Sequence, residues 1–220
     1  MSVSENYLRL KDDLPKNVTL ISVSKTRAVE EIKAVYDVGE RDFGENKVQE
    51  MMDKYEQLPK DIRWHLIGHL QRNKVKYLVG KVHLIHSLDS VRLLQEIEKQ
   101  YEKSELIANT LIQINIGREE SKTGILLENL EELLQACEEY HFVKVKGIMA
   151  TIPIGDEESS MYYFTKTKEV FDELKTRVYK NITMETLSIG MSNDYKVALK
   201  AGSNMVRIGT GIFGKRNYNL

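Results

Sequence analysis

Short runs of apolar, β-branched residues alternate along this chain with longer segments in which apolar and charged residues recur at helical spacing. After a helix-patterned start at 5–13, VTLISVS (18–24) has the composition of a buried strand. The segment after it, AVEEIKAVYDVG (28–39), has the periodicity of a helix, and Gly39 stands where that helix would be capped. The pairing then repeats. A short strand around Asp42 and Phe43 precedes ENKVQEMMDKYEQL, IRWHLIG precedes QRNKVKYLVG, and VHLIHS precedes DSVRLLQEIEKQYEKS. TLIQINIG is followed by LLENLEELLQACEEY, VKVKGIMA by EESSMYYFTKTKEVFDELKTRVY, and ETLSIG by NDYKVALKAG. The strand and loop NMVRIGTGIFG end the pattern.

Strict alternation of strands and helices implies a parallel sheet covered by helices. Eight such units in 220 residues fit an α/β fold of the (β/α)8 TIM-barrel type, near the lower end of its size range. One barrel domain over 1–220, with an extra N-terminal helix, is the expected architecture. A doubly wound open sheet is the competing one. In its dinucleotide-binding form it would carry a glycine fingerprint in the first βα turn, and SVSKTRAVEE has none.

Composition narrows the function classes. The 32 basic and 33 acidic residues are mixed along the chain, so nothing points to a nucleic-acid partner. The apolar runs are of strand length, which argues against a membrane span, and the first fifteen residues lack the pattern of a secretory signal. Cys137 is the single cysteine, so no intramolecular disulfide or multi-cysteine metal site can form. A cytoplasmic protein is expected.

Three features carry chemistry. Thr19, Ile21, Val23 and Lys25 share one face of the first strand by the two-residue period. If that face is the barrel interior, Lys25 points into the mouth, where active residues of barrels gather. A lysine there is either a solvated rim residue or a desolvated amine able to form an imine with a carbonyl compound. The second feature is a pair of anion-type loops. Gly209 and Gly211 flank Thr210 after the last strand, and LSIGMSND places Gly190 and Ser192 before the seventh helix. In barrels the loops after strands seven and eight frequently bind phosphate, although Ser192 as a helix cap and turn glycines would look the same. The third is Arg207 in an otherwise apolar strand, on one face with Met205 and Gly209. Its guanidinium needs either an internal salt bridge or a ligand acceptor.

An imine-forming lysine, a phosphate cradle and a buried arginine match the aldehyde, phosphate and ring nitrogen of pyridoxal 5′-phosphate. The sequence resembles the pyridoxal phosphate homeostasis proteins, which share the barrel of the alanine racemase N-terminal domain. The resemblance rests on SVSKT (22–26), FGENKVQE (43–50), WHLIGHLQRNK (64–74), IHSLD (85–89), INIGREESKTG (114–124), KGIMA (146–150), LSIGMSND (187–194) and VRIGTGIFG (206–214). It implies that Lys25 carries pyridoxal 5′-phosphate as an internal aldimine and that Ser192, Gly209 and Thr210 hold the phosphate. Arg207 would donate to the pyridine nitrogen, Asn46 would lie near the ring's polar edge, and Val23, His65 and Met149 would form walls. An arginine at the ring nitrogen keeps it unprotonated and weakens the cofactor as an electron sink.

A racemase of this fold resembles a two-part enzyme whose second, β-rich domain supplies a tyrosine base. This chain ends at Leu220, and Tyr218 is too close to the end to take that role. The resemblance therefore implies a monomeric carrier that buffers the cofactor or delivers it to apo-enzymes, without an established reaction. A weak amino-acid racemase or lyase is the alternative. A Schiff-base aldolase acting on a phosphorylated sugar and an adaptor gated by cofactor occupancy are further rivals. Lys122, in the loop after the fifth strand, is either a solvated lysine or a secondary amine for loading and release. His65 and His69 do not make a metal pair, because Gly68 ends the strand between them. His83 and His86 fall on opposite faces of one strand, and Tyr162, Tyr163 and Phe164 read as helix packing.

Overall fold

The chain, seen as a computed structural model that describes residues 2–215, closes on itself. Eight strands run parallel in sequence order: β1 (Thr19–Val23), β2 (Asp42–Glu45), β3 (Arg63–Leu66), β4 (Leu84–Leu88), β5 (Ala108–Ile114), β6 (Val143–Ala150), β7 (Ile182–Met191) and β8 (Met205–Ile208). Closure comes from β8 pairing with β1, with Ile21 opposite Arg207. The barrel expected from the alternating pattern is the fold.

Helices follow the strands: α2 (Val29–Asp37), α3 (Val48–Gln57), α4 (Val91–Glu102), α5 (Leu130–Glu139), α6 (Glu157–Lys175), α7 (Tyr195–Lys200) and α8 (Thr210–Phe213). Ahead of the barrel, α1 (Val3–Asp13) begins with a reciprocal cap between Ser2 and Glu5. The Asn6 amide donates to Ile212 O at 3.0 Å, tying α1 to α8. At the end of α2, Gly39 takes a φ of +105°, the left-handed turn that glycine permits without strain.

Two expectations need adjusting. The segment after β3 is a 3₁₀ helix, 72–77, rather than an α-helix. Val75 within it and Leu78 at its C-cap are both fully buried and stand three apart, which suits a helix of three residues per turn. The glycine-flanked stretch after β8 is not an open loop either. Gly209 is the N-cap of the one-turn helix α8.

Side chains alternate across each strand and create two packing layers. Leu20 joins the large core between strands and helices, whereas Ile21, Leu84, Leu111, Met149 and Met205 fill the barrel interior. Cys137 is fully buried on α5, where burial pushes its thiol up to about 12 and leaves it a packing residue. Among the described residues no helix is long and apolar enough to cross a membrane. Tyr218 lies outside the described residues.

Candidate functional site

A cavity of about 640 Å³ opens at the C-terminal ends of the strands. Val23, Lys25, Asn46, Lys122, Ser192, Arg207, Gly209 and Thr210 all line it. Residues from the first, second, fifth, seventh and eighth βα units thus meet at one place, although up to 185 positions separate Lys25 from Thr210 in the chain. His65 and Met149, expected as walls, do not line the cavity. Both are buried in the barrel interior, each 1% exposed. A second depression, of about 670 Å³, is lined by His69, Arg72, Asp89 and Arg92 and holds none of the expected residues.

Lys25 stands two residues past the end of β1, and the backbone on either side of it is held by a buried ionic cluster. Ser24 N–H donates to Gly44 O at 3.0 Å, and the Ser24 hydroxyl donates to Glu45 Oε1 at 2.6 Å. The Lys54 ammonium, reaching in from α3, donates to Ser24 O at 2.8 Å and to Glu45 Oε1 and Glu50 Oε1 at 2.7 Å each. Glu50 in turn accepts the Thr26 N–H. Thr26 sits at φ +63°, an uncommon conformation for a β-branched residue, so this carboxylate secures a strained turn. Burial pushes the Glu45 carboxyl up to about 7 against the pull of Lys54, and its Oε2 has no hydrogen-bond partner.

The opposite wall is built from β7, β8 and their loops. Gly209 N–H donates to Ser192 Oγ at 3.2 Å, so the two glycine-containing segments are joined. Ser192 is therefore a bridge between loops, not the cap of α7, whose N-cap position is Asp194. Close packing requires the glycines here. A Cβ on Gly190, already at φ +95°, would lie 2.6 Å from Ala198 Cβ, and one on Gly211 would lie 2.9 Å from Ile208 Cγ2. The carboxylates at the rim have local work: Asp156 caps α6 through Ser159 N–H, and Glu157 pairs with Lys200 at 2.8 Å.

Arg207 is 4% exposed and its three internal acceptors are all uncharged. Nη1 donates to Ser188 O at 2.6 Å and Ser188 Oγ at 2.7 Å, and Nη2 to Ala150 O at 3.0 Å. The internal salt bridge that sequence left open is not how Arg207 is held. These bonds use three of the five guanidinium N–H groups, on a side chain that also lines the cavity. Burial lowers its pKa to about 10, which still leaves it charged at neutral pH.

Sequence reasoning missed Glu45, Glu50, Lys54, His86 and Ser188. The two glutamates and Lys54 look like ordinary charges of a solvated helix and its approach. Only the apolar context of β4 around His86 gave a signal, since alternation puts Leu84 and His86 on one face.

Comparison with known proteins agrees with this geometry. The family model for the alanine racemase N-terminal domain matches residues 2–217. A pyridoxal phosphate homeostasis protein of Aquifex aeolicus is 47% identical over 201 residues, 90% of this chain and 87% of the relative. Its counterpart in Escherichia coli is 40% identical, over 93% of this chain and 88% of the relative. The solved structure of PipY from Synechococcus elongatus, with PLP bound, is 30% identical and superposes with a TM-score of 0.89, covering 97% of this chain and all of that one. The chain belongs to the alanine racemase N-terminal domain family and, within it, to the pyridoxal phosphate homeostasis proteins.

Proposed function

We propose that this chain binds pyridoxal 5′-phosphate reversibly at Lys25 and thereby controls its free level. The observation that carries the reading is the convergence of an amine, two joined donor loops and a buried guanidinium on one cavity. The donor set fits the group. Lys25 supplies the amine, the Ser192 and Thr210 hydroxyls and the Gly209 segment suit a phosphate, and Arg207 has spare N–H donors for a ring nitrogen. Asn46 would face the polar edge of the ring and Val23 its apolar face. When bound, pyridoxal phosphate supplies an aldehyde that an amine captures with loss of water and releases on its return.

The carrier reading is favoured over a racemase or lyase by the charge on Arg207. A guanidinium donating to the ring nitrogen opposes protonation there, so electron withdrawal from an attached amino acid is weak. One barrel domain would be enough for this role, and the buried, lone Cys137 suits a reducing cytoplasm. Apo-enzymes that need the cofactor would be the recipients. Lys122 lines the same cavity and would serve as the second amine during handover. Equal transfer rates in wild type and Lys122→Ala would remove that role.

Spectrophotometric titration tests the whole reading. Adding pyridoxal phosphate to the wild type should produce a protein-bound visible absorption band that Lys25→Ala lacks, and the loaded protein should reactivate a cofactor-requiring apo-enzyme. Exchange of an amino acid's α-proton in deuterated water, lost in Lys25→Ala, would instead establish catalysis.

A further inference from the structure

Resting on that reading of the cavity, we infer that Asp42, His65, His86 and Ser188 form a directed hydrogen-bonded chain that positions Arg207 and sets how strongly it donates to a bound pyridine ring. The chain crosses the barrel interior from the N-terminal end of β2 to the cavity. His65 Nε2 lies 3.0 Å from Asp42 Oδ1, and His65 Nδ1 lies 3.0 Å from His86 Nε2. His86 Nδ1 lies 3.2 Å from Ser188 Oγ, the atom that accepts from Arg207 Nη1 at 2.7 Å.

The direction of every proton follows from the ends. Arg207 has only donors, so the Ser188 hydroxyl oxygen accepts from it, and the hydroxyl proton goes to His86 Nδ1. His86 is fully buried, and that burial, with the Arg207 cation close by, holds its imidazole well below the ordinary range and therefore neutral. Its one proton is then on Nε2 and donates to His65 Nδ1. The proton of His65 is on Nε2, and it donates to the Asp42 carboxylate. Four donors in a row point from the buried cation to the carboxylate, so their polarisation adds.

Asp42 is suited to anchor such a chain. Arg63 grips both its oxygens, at 2.7 and 2.6 Å. Burial alone would raise the Asp42 carboxyl, but the bonds from His65 and Arg63 outweigh it and keep the group ionised. His83 approaches the His65 ring edge-on, with centroids 5.5 Å apart, and stands outside the chain. The arrangement is linear, with each ring nitrogen already committed to its neighbour. Polar groups placed among Ile21, Leu84, Leu111 and Met205 would otherwise be costly fillers of a barrel core.

The test uses the full-length protein loaded with pyridoxal 5′-phosphate carrying ¹⁵N in the ring, and reads the ring-nitrogen chemical shift. Asp42→Asn removes the anion at the far end without touching the cavity. Ser188 then becomes a poorer acceptor, Arg207 donates more strongly to the ring, and the resonance should move upfield, towards that of a protonated pyridine. His86→Phe cuts the chain and should shift it in the same direction, and the double variant should move no further than His86→Phe alone. Asp42→Asn is nearly isosteric and decides the matter if the histidine variant fails to fold. An unchanged resonance in Asp42→Asn, or additive shifts in the double variant, would overturn the inference while leaving cofactor binding intact. A wild type that takes up no label would overturn the binding reading itself.

Discussion

Asp42 and Glu45 stand at the two ends of one four-residue strand, on opposite faces of it, and the protein treats them in opposite ways. Asp42 faces the barrel interior and is bonded by Arg63 and His65, which keep it ionised despite burial. Glu45 faces α3, is fully buried, and is pushed up to about 7 although Lys54 touches it. Behind each carboxylate stands one of the two cations expected to meet the cofactor. Glu45 helps Lys54 fix the backbone around Lys25, and Asp42 ends the chain that leads to Arg207. The difference teaches how one barrel can hold two charged groups at a single mouth. One side uses a compact ionic knot, and the other spreads a cation's field through neutral groups to a distant anion.

Breaking the knot should have the larger effect. Lys54→Met leaves Glu45 and Glu50 facing one another without their cation, and breaking a buried pair in this way costs about 3–5 kcal/mol. Urea unfolding should report the loss, and the rate of Lys25 capture by pyridoxal phosphate should fall as the Thr26 turn is released. Asp42→Asn retains a side-chain acceptor for His65 and should cost less, on the order of 1–2 kcal/mol.

The two carboxylates should also be distinguishable by the sign of their pH dependence. The folded-state pKa of Asp42 lies below the unfolded value of about 3.9. Its contribution is therefore complete above that value and is lost as pH falls towards the folded pKa. The stability of the wild type relative to Asp42→Asn should shrink in acid. For Glu45 the folded pKa of about 7 lies above the unfolded value, so the folded state binds the proton more tightly. The stability of the wild type relative to Glu45→Gln should be greatest below the ordinary glutamate value and decline as pH rises through about 7. Parallel pH profiles for the two pairs would erase the contrast.

The fold was legible because the strand and helix periods alternate without a break. Lys25 and Arg207 were legible because each is a cation set against an apolar run. The two devices behind them were not. Lys54 has the surroundings of a solvated helix residue, and only the packing of α3 on β2 reveals its contacts with Glu45 and Ser24. His86 and Ser188 are 102 positions apart, a separation at which no local pattern can announce a hydrogen bond. His65 was expected as a wall of the pocket only through the family resemblance. Its ring instead turns inward to Asp42 and His86, since the interior is where its two nitrogens find partners.

The most direct measurement is borohydride reduction of protein incubated with pyridoxal 5′-phosphate, followed by mass mapping of the peptides. The account predicts a phosphopyridoxyl group on the peptide containing Lys25, and its loss from that peptide in Lys25→Ala. An unmodified Lys25 in the presence of excess cofactor would contradict it, leaving a barrel with an anion-binding mouth and no covalent role for its lysine.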